Sequence, residues 1–499
     1  MADETGTAAE AAGCVQECRA PLGDVLVLGL GRTGEAAARY LAPRIGGRVG
    51  SVTVLGGAAS GPGAAATALE ALGCRVVLGA DDVEGSFDLA VASPGIPPAS
   101  PLFQAGLARA RELVGEPELA FRESPERWLA ITGTNGKTTS TSLATHLLRQ
   151  AGLPAEAVGN IGVPPCARID ARPEGGWLVA ELSSFQLATT RELAPRAAAL
   201  LNVTPDHLEW HGSMGAYAAA KERVFANLGP DDLAVVVEGD DWCRAVAGRL
   251  CARGTRVCAV RTDGEPEGPD AAFVRAGALV VRLRGTEHEL VGVGDLRILG
   301  AHNQLNALVA SALALEAGAA DGAVREGLAS FAPIEHRVEP CGTAAGVRYV
   351  NDSKATNTDA VEKALVAFEP GRVVVMLGGH DKGTDLGSLA RAVAGRCRVA
   401  VCYGEAGERL ARAVEEAARE LGAPCEVVRV GGATQAPAPG EEPAAPVFAA
   451  AFEAARAAAR PGDAVLLSPA CSSFDEFHNM GERGRRFKAL VAALPGFGG

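Results

Sequence analysis

The sequence predicts an α/β protein of three domains. Three observations carry this. Short apolar runs alternate with helical patterns along almost the whole chain. Two of those runs lead directly into glycine loops that open a helix. The length of 499 residues allows about three domains of ordinary size. The boundaries fall near residues 115 and 335, which gives an N-terminal unit 1–115, a central unit 116–335 and a C-terminal unit 336–499.

The first unit opens, after a tail over residues 1–20, with the apolar run Val25-Leu26-Val27-Leu28 and then Gly29-Leu30-Gly31-Arg32-Thr33-Gly34. A helical pattern follows from Glu35 to Leu41. This is the glycine fingerprint of a Rossmann-like βα turn. A dinucleotide site also needs an acid about twenty residues on, to hold the ribose. The next strand, Val52 to Leu55, ends in Gly56-Gly57, and residues 50–63 hold no acid. The turn therefore reads as a phosphate or diphosphate contact, with Arg32 and Thr33 at its tip. Further strands at Arg75–Val77 and Leu89–Ala92 lead to Ser93-Pro94-Gly95-Ile96-Pro97. Loops after strand C-termini line the ligand crevice of such sheets, which puts Ser93 and Gly95 there.

The second unit holds the strongest motif. Trp128-Leu129-Ala130-Ile131 leads into Gly133-Thr134-Asn135-Gly136-Lys137-Thr138-Thr139, and a helix carrying Leu143, Leu147 and Leu148 follows. Strand, glycine loop and helix cradle phosphates: the loop amides face the anion and Lys137 reaches the terminal phosphates. Thr138 stands where a hydroxyl ligates Mg2+. Ile131 and Thr132 stand where the usual first glycine would fall, so this is a shortened, P-loop ATPase-like variant. Strand Trp177–Ala180 ends in Glu181-Leu182-Ser183-Ser184, and strand Ala198–Val203 ends in Thr204-Pro205-Asp206-His207. An acid at a strand end beside a phosphate loop is placed to hold Mg2+, whereas His207 serves equally as a cap or a core histidine. A helical pattern from Tyr217 to Leu228 carries Lys221, which from spacing alone is an ordinary helix lysine. In the helix opened by Gly300-Ala301-His302, Asn303 and Asn306 share a face. Their amides suit a purine edge, although capping accounts for Asn303 as well.

The third unit is again Rossmann-like. Strands at Arg348–Val350, Arg372–Leu377, Val399–Tyr403 and Ala464–Leu467 end, in three cases, in polar loops. These are Asn351-Asp352-Ser353-Lys354-Ala355-Thr356-Asn357, Gly378-Gly379-His380-Asp381-Lys382-Gly383, and Ser468 through Asp475. Gly431–Pro446 reads as a surface loop.

Composition narrows the class. Hydrophobic residues make up 48% and charged residues 21%, enough for a large core. The net charge of −13 disfavours a nucleic-acid partner. No apolar run reaches the ~18 residues that span a membrane. The first twenty residues carry Asp3, Glu4, Glu10 and Glu17 and lack the basic start of a signal peptide, so they read as a disordered tail. The twelve cysteines form no Cys-x-x-Cys pair and read as reduced thiols.

Gly133–Thr139, Glu181–Ser184, Thr204–His207, His302-Asn303 with Asn306, and His336-Arg337 together resemble the Mur ligases, ATP-dependent amide-bond ligases of peptidoglycan precursor synthesis. Folylpolyglutamate synthases share the loop. The Asn351–Asn357 segment resembles the branch that adds D-glutamate, and Gly378-Gly379, Ser468-Pro469-Ala470 and Ser93–Pro97 agree with it. The resemblance covers residues from about Val25 to Leu494. It implies ATP and Mg2+ as cofactors, UDP-MurNAc-L-Ala and D-glutamate as substrates, and a cytoplasmic monomer without membrane contact. It also implies roles. Lys137, Glu181, His207 and Lys221 are catalytic, with Lys221 carbamylated. Thr138, Glu181, His207 and the Lys221 carbamate hold metal. Gly133 to Thr139, Asn303, Asn306, Arg337 and Asp352 bind ATP. Arg32, Thr33, Ser93, Gly95, Asn160 and His207 contact the UDP substrate. Lys354, Thr356, Lys382, Ser473 and Phe474 hold D-glutamate. Closure on ligand binding is a further expectation. Leu55-Gly56-Gly57 stands where some relatives carry a uracil contact, and His380 where some carry Asp, so neither position is assigned. Two other classes stay in view: an NAD-dependent oxidoreductase, opposed by the missing ribose acid, and a P-loop regulatory module without turnover, opposed by the three polar loops.

Overall fold

The computed structural model describes residues 20–298, 300–332, 335–381, 383–438 and 440–498. Residues 1–19 of the expected tail and Lys382 lie outside the described residues. The chain divides into two compact units, residues 1–294 with 305–328, and residues 295–304 with 329–499. The boundary expected near residue 115 falls inside the first unit.

The first unit holds two sheets. Strands β1 (Gly23–Leu28), β2 (Val49–Leu55), β3 (Arg75–Val77), β4 (Phe87–Ala92) and β5 (Ala110–Gly115) pair in the order β3-β2-β1-β4-β5. All four pairings are parallel. The helix Arg32–Leu41 follows β1 directly, and a Cβ at Gly34 would overlap the carbonyl oxygen of Gly29. Glycine there lets helix and strand pack at the switch point where β1 lies between β2 and β4.

The second sheet has nine strands: β6 (Trp128–Thr132), β7 (Ala155–Gly159), β8 (Trp177–Glu181), β9 (Ala197–Leu200), β10 (Leu233–Val237), β11 (Arg256–Val260), β12 (Ala271–Arg275), β13 (Ala278–Leu283) and β14 (Thr286–Gly292). Their order is β14-β13-β12-β11-β10-β9-β6-β8-β7. The strand expected to reach Val203 stops at Leu200, because Asn202 turns its carbonyl and side chain to the phosphate loop. The helix expected over Tyr217–Leu228 runs instead from Met214 to Glu222, capped by the Ser213 hydroxyl, and one 3-10 turn follows. β7, β10 and β11 were not singled out from the sequence.

The two sheets share a continuous core that runs from Val25 and Leu41 to Trp128 and Leu200. The helix Glu116–Glu123 lies between them. Glu123 takes hydrogen bonds from Tyr40 Oη at 2.7 Å and Arg48 Nη1 at 2.6 Å on the first sheet's side. Glu118 takes the backbone amides of Arg191, Glu192 and Leu193 at 2.7–3.2 Å on the second's.

The second unit holds β15 (Glu339–Ala344), β16 (Val347–Asn351), β17 (Val373–Gly378), β18 (Cys397–Tyr403), β19 (Glu426–Val430) and β20 (Ala464–Ala470), ordered β15-β16-β20-β17-β18-β19. Only β15 runs antiparallel to its neighbour. The loop from Gly431 ends where Pro446 opens the helix Pro446–Ala458. Among the described residues no helix is long and apolar enough to cross a membrane.

Glu116 opens the connecting helix fully buried, with Cys166 N donating to its Oε1 at 2.6 Å. Burial raises its carboxyl to about 7. The native state then keeps a proton that the unfolded chain releases above about 4.3. The stabilisation is complete below that value and is lost as pH rises through about 7. In thermal melts from roughly pH 5 to 8, the wild-type melting temperature should fall with pH more steeply than that of Glu116→Gln, whose amide does not titrate. Parallel curves would show that Glu116 is not the group responsible.

Candidate active site

The phosphate loop connects β6 to the helix Lys137–Gln150. Gly136 sits at φ 85°, and a Cβ there would lie 2.6 Å from Asn306 Oδ1, so both conformation and space require glycine. The loop is clipped from β9's side. Asn202 Oδ1 accepts from the amides of Thr134 at 3.1 Å and Asn135 at 2.8 Å, and Asn202 Nδ2 donates to Asn135 O at 3.1 Å. Thr134 Oγ1 lies 3.0 Å from Tyr217 Oη and donates to Thr204 O at 3.1 Å. Ser140 donates to Asn306 Oδ1 at 3.1 Å, which fastens the helix Ala301–Glu316 to the loop's own helix.

The charged groups gather on this scaffold. Lys137 Nζ donates to Gly133 O at 2.8 Å and Thr134 O at 2.9 Å. Thr138 and Thr139 are buried at the helix start. Glu181 ends β8, in register beside Ile131 of β6. Its Oε1 accepts from Asn160 Nδ2 at 2.8 Å, while its Oε2 is buried without a hydrogen-bond partner. Lys221 is 1% exposed; its Nζ donates to Gly133 O at 2.7 Å and sits 4.5 Å from the Tyr217 ring centroid. Burial, and then the charge of Lys137, push the Lys221 amine well below its ordinary value. The lysine that spacing alone left as an ordinary helix residue is thus among the most deeply buried cations of the chain.

His207 takes a left-handed conformation, φ 53°, before the one-turn helix Leu208–His211, and its side chain is half exposed, 3.6 Å from Asp206. His211 shares a hydrogen bond with Ser184 Oγ at 2.9 Å. Burial and the nearby Lys221 and His207 lower the His211 imidazole to about 4.

On the five-stranded sheet, Thr33 lies in the first turn of the helix after β1. Ser93 Oγ is buried without a partner, and Gly95 is exposed. Arg32 Nη2 donates to Gly162 O at 2.8 Å, which ties this loop to the one bearing Asn160.

In the second unit the three polar loops follow β16, β17 and β20, three neighbouring strands. Arg483, 1% exposed, joins two of them: it donates to Ser353 Oγ and O at 3.0 and 2.9 Å, to Ser472 O at 3.2 Å and to Cys471 O at 3.1 Å. The third is braced by Arg409, which holds both oxygens of Asp381 at 2.7–2.8 Å. Lys382, next to Asp381, lies outside the described residues. Asp352 accepts from Ser468 Oγ at 2.7 Å and Val338 N at 3.2 Å, and burial outweighs these contacts and Arg337 to raise it to about 7. Lys354 N donates to His336 O at 3.0 Å, and Thr356 N to Lys354 O at 2.9 Å. Ser473 is buried and Phe474 is 58% exposed. His380 pairs with Glu405 Oε2 at 2.6 Å. Asn303 falls with the second unit and Asn306 with the first.

Asn202, Tyr217, His211 and Arg483 were not singled out from the sequence. A polar residue ending an apolar strand was the available signal for Asn202. Arg483, inside a helix 130 residues from Ser353, gave none.

The family model for the Mur ligase middle domain matches residues 131–314, and that for the Mur ligase glutamate ligase domain matches residues 336–471. A UDP-N-acetylmuramoylalanine–D-glutamate ligase of Acidobacterium capsulatum is 37% identical over 480 residues, 95% of this chain and 96% of its own. That of Rubrobacter xylanophilus is 40% identical over 469 residues, 93% and 97% of the two chains. A pseudomurein peptide ligase type C from Methanothermus fervidus superimposes with a TM-score of 0.56 at 16% identity, over 94% and 99% of the chains, a likeness of fold.

Asn202→Ala should loosen the clipped loop. The substitution removes the Asn202 Oδ1 acceptor shared by Thr134 N and Asn135 N, while Thr134 N keeps Asn202 O; each lost hydrogen bond costs about 0.5–1.5 kcal/mol. The KM for nucleotide should rise about tenfold or more, with the fold intact by circular dichroism. An unchanged KM would show that the loop holds its shape without the clip.

Proposed function

The chain belongs to the Mur ligase family, and from that premise we propose which residues perform each part of its reaction. The protein is an ATP-dependent ligase that joins D-glutamate to UDP-N-acetylmuramoyl-L-alanine in peptidoglycan precursor synthesis. ATP phosphorylates the alanyl carboxylate, and the amine of D-glutamate then displaces phosphate through a tetrahedral intermediate. Such phosphoryl transfer depends on positioning and charge neutralisation.

The observation that carries the assignment is the meeting of Lys137 and Lys221 at the Gly133 carbonyl, with an unpartnered Glu181 oxygen at the end of the strand paired with β6. In this reading Lys137 and the loop amides hold the β- and γ-phosphates. Asn303, Asn306, Arg337 and Asp352 serve the nucleotide. Asn160, tied to Glu181, orients the muramoyl substrate, and Arg32, Thr33, Ser93 and Gly95 serve its diphosphate. The buried, unpartnered oxygen of Glu181, at the end of the strand paired with β6, fits a cation ligand. In this reading Thr138 and Glu181 would hold one Mg2+, and His207 with a Lys221 carbamate would hold a second. Mg2+ held there supplies positive charge at the transferring phosphoryl group.

Carbamylation suits Lys221 chemically. A neutral amine attacks CO2, forms the N–C bond and releases one proton. Burial favours the neutral amine. The product is an anion where the free lysine would be a cation.

Lys354, Thr356, Lys382, Ser473 and Phe474 hold D-glutamate in this reading, with Lys382 and Thr356 at its α-carboxylate and Ser473 with the Phe474 backbone at the other. Supporting it, Arg483 and Arg409 brace the loops that carry them. A site gripping both carboxylates aims the amine correctly for one enantiomer only, and a displacement of about 1 Å can cost ~10²-fold. The three-domain division at residues 115 and 335 and a cytoplasmic location belong to the same proposal.

Two experiments test it. Phosphate release from ATP, measured with UDP-MurNAc-L-Ala and each of D-glutamate, L-glutamate, L-alanine and meso-diaminopimelate, should be fastest with D-glutamate; preference for another acceptor would overturn the assignment. Lys221→Ala should be nearly inactive and should recover in part with added short-chain carboxylic acids, which restore an anion. Wild-type rates for this variant at low Mg2+ would make Lys221 a bystander.

A further inference from the structure

The one-turn helix Leu208–His211 has no buried residue of its own. Its backbone contributes three hydrogen bonds: Trp210 N and His211 N to His207 O at 3.1 and 3.2 Å, and Gly212 N to Leu208 O at 2.7 Å. A single turn of this kind does not hold itself, because nucleating a helix fixes several dihedrals for each bond gained. Something outside the turn must therefore dock it; Trp210 packs on Phe185, and His211 adds the turn's side-chain hydrogen bond. Its imidazole bonds Ser184 Oγ at 2.9 Å. It also stacks on Phe185, with centroids 5.6 Å apart and planes 11° apart, and lies 5.2 Å from the Tyr217 ring. Ser184 and Phe185 open the helix that directly follows Glu181 and its cap. Phe185 also touches the rings of His207 and Trp210, at 4.7 and 4.8 Å.

The capping of that helix is done by Ser183 with Gln186, so the Ser184 hydroxyl is not needed for it. The residue ahead of the turn, His207, has a strained left-handed backbone, φ 53°. For a non-glycine residue that conformation persists only when the surroundings impose it. The His207 ring in turn lies 6.5 Å from that of Tyr217, over which Lys221 Nζ sits.

We propose that His211 is a positioning residue for His207: by bonding Ser184 and stacking on Phe185 it docks the one-turn helix on the segment after Glu181, and so fixes the His207 imidazole relative to Glu181 and Lys221. This rests on the metal role read for His207 above. Outer groups that orient a metal ligand influence metal affinity without touching the metal.

The test uses the full-length enzyme with a non-hydrolysable ATP analogue and UDP-MurNAc-L-Ala, Mn2+ as the probe, and free Mn2+ counted by electron paramagnetic resonance. His211→Phe keeps the ring and removes the hydrogen bond, and Ser184→Ala removes its partner. Both should weaken Mn2+ binding on the order of tenfold, toward the level of His207→Ala. The KM for D-glutamate should stay within about twofold in both. His211→Gln, whose amide reaches the Ser184 hydroxyl, should keep most of the wild-type affinity. Full Mn2+ affinity in His211→Phe beside a loss in His207→Ala would overturn the proposal and leave the role of His207 standing. Full affinity in both would overturn the proposal and the metal role of His207 together, while D-glutamate-dependent turnover by the wild type would still support the activity. A lowered melting temperature with Mn2+ affinity intact would reduce His211 to a structural contact and also overturn it.

Discussion

The first unit is arranged around one close approach. The backbone at Gly136 runs so near Asn306 and Leu201 that any Cβ would be 2.6 Å from one and 3.2 Å from the other. This closeness lets β6, β9 and two helices present their ends to a single loop. Asn202, Thr134 and Tyr217 then lock the loop's shape, and Lys137 and Lys221 both reach the carbonyl of Gly133. A loop locked in this way needs little reorganisation when charge develops beside it.

Buried polar side chains organise the rest in the same way. Glu118 and Glu123 sit on one helix and collect donors from the two sheets of the first unit. Arg483 gathers four acceptors from two loops of the second. Each such group is costly to bury and becomes tolerable only when its partners are all in place. The same property makes them specific. A loop displaced by a residue leaves a charge unpaired, so the arrangement with every partner present is favoured over its near neighbours.

Lys221 shows how burial becomes chemistry. Its amine lies 2.7 Å from a loop carbonyl, beside a second lysine, in a region shielded from water. Both surroundings disfavour the ammonium form. The site thus holds a buried amine in its neutral, nucleophilic form beside Lys137.

Much of this was legible in the sequence. Glycine loops after apolar runs are local signals, set by steric limits on a few consecutive residues, and Gly29–Gly34 and Gly133–Thr139 fixed where two sheets present their crevices. Glu181 and the three polar loops of the second unit could also be placed, since they follow strand C-termini. What the sequence could not decide were pairings between residues far apart along the chain. The Asn202 clip on a loop some seventy residues earlier, the Arg483 bridge to Ser353 and the docking of His211 on Ser184 depend on strand order and helix placement, which local patterns do not encode. Lys221 is the clearest case. Its spacing is that of a solvated helix lysine, and only the packing of Tyr217 and the phosphate loop around it removes it from water and changes what its amine can do.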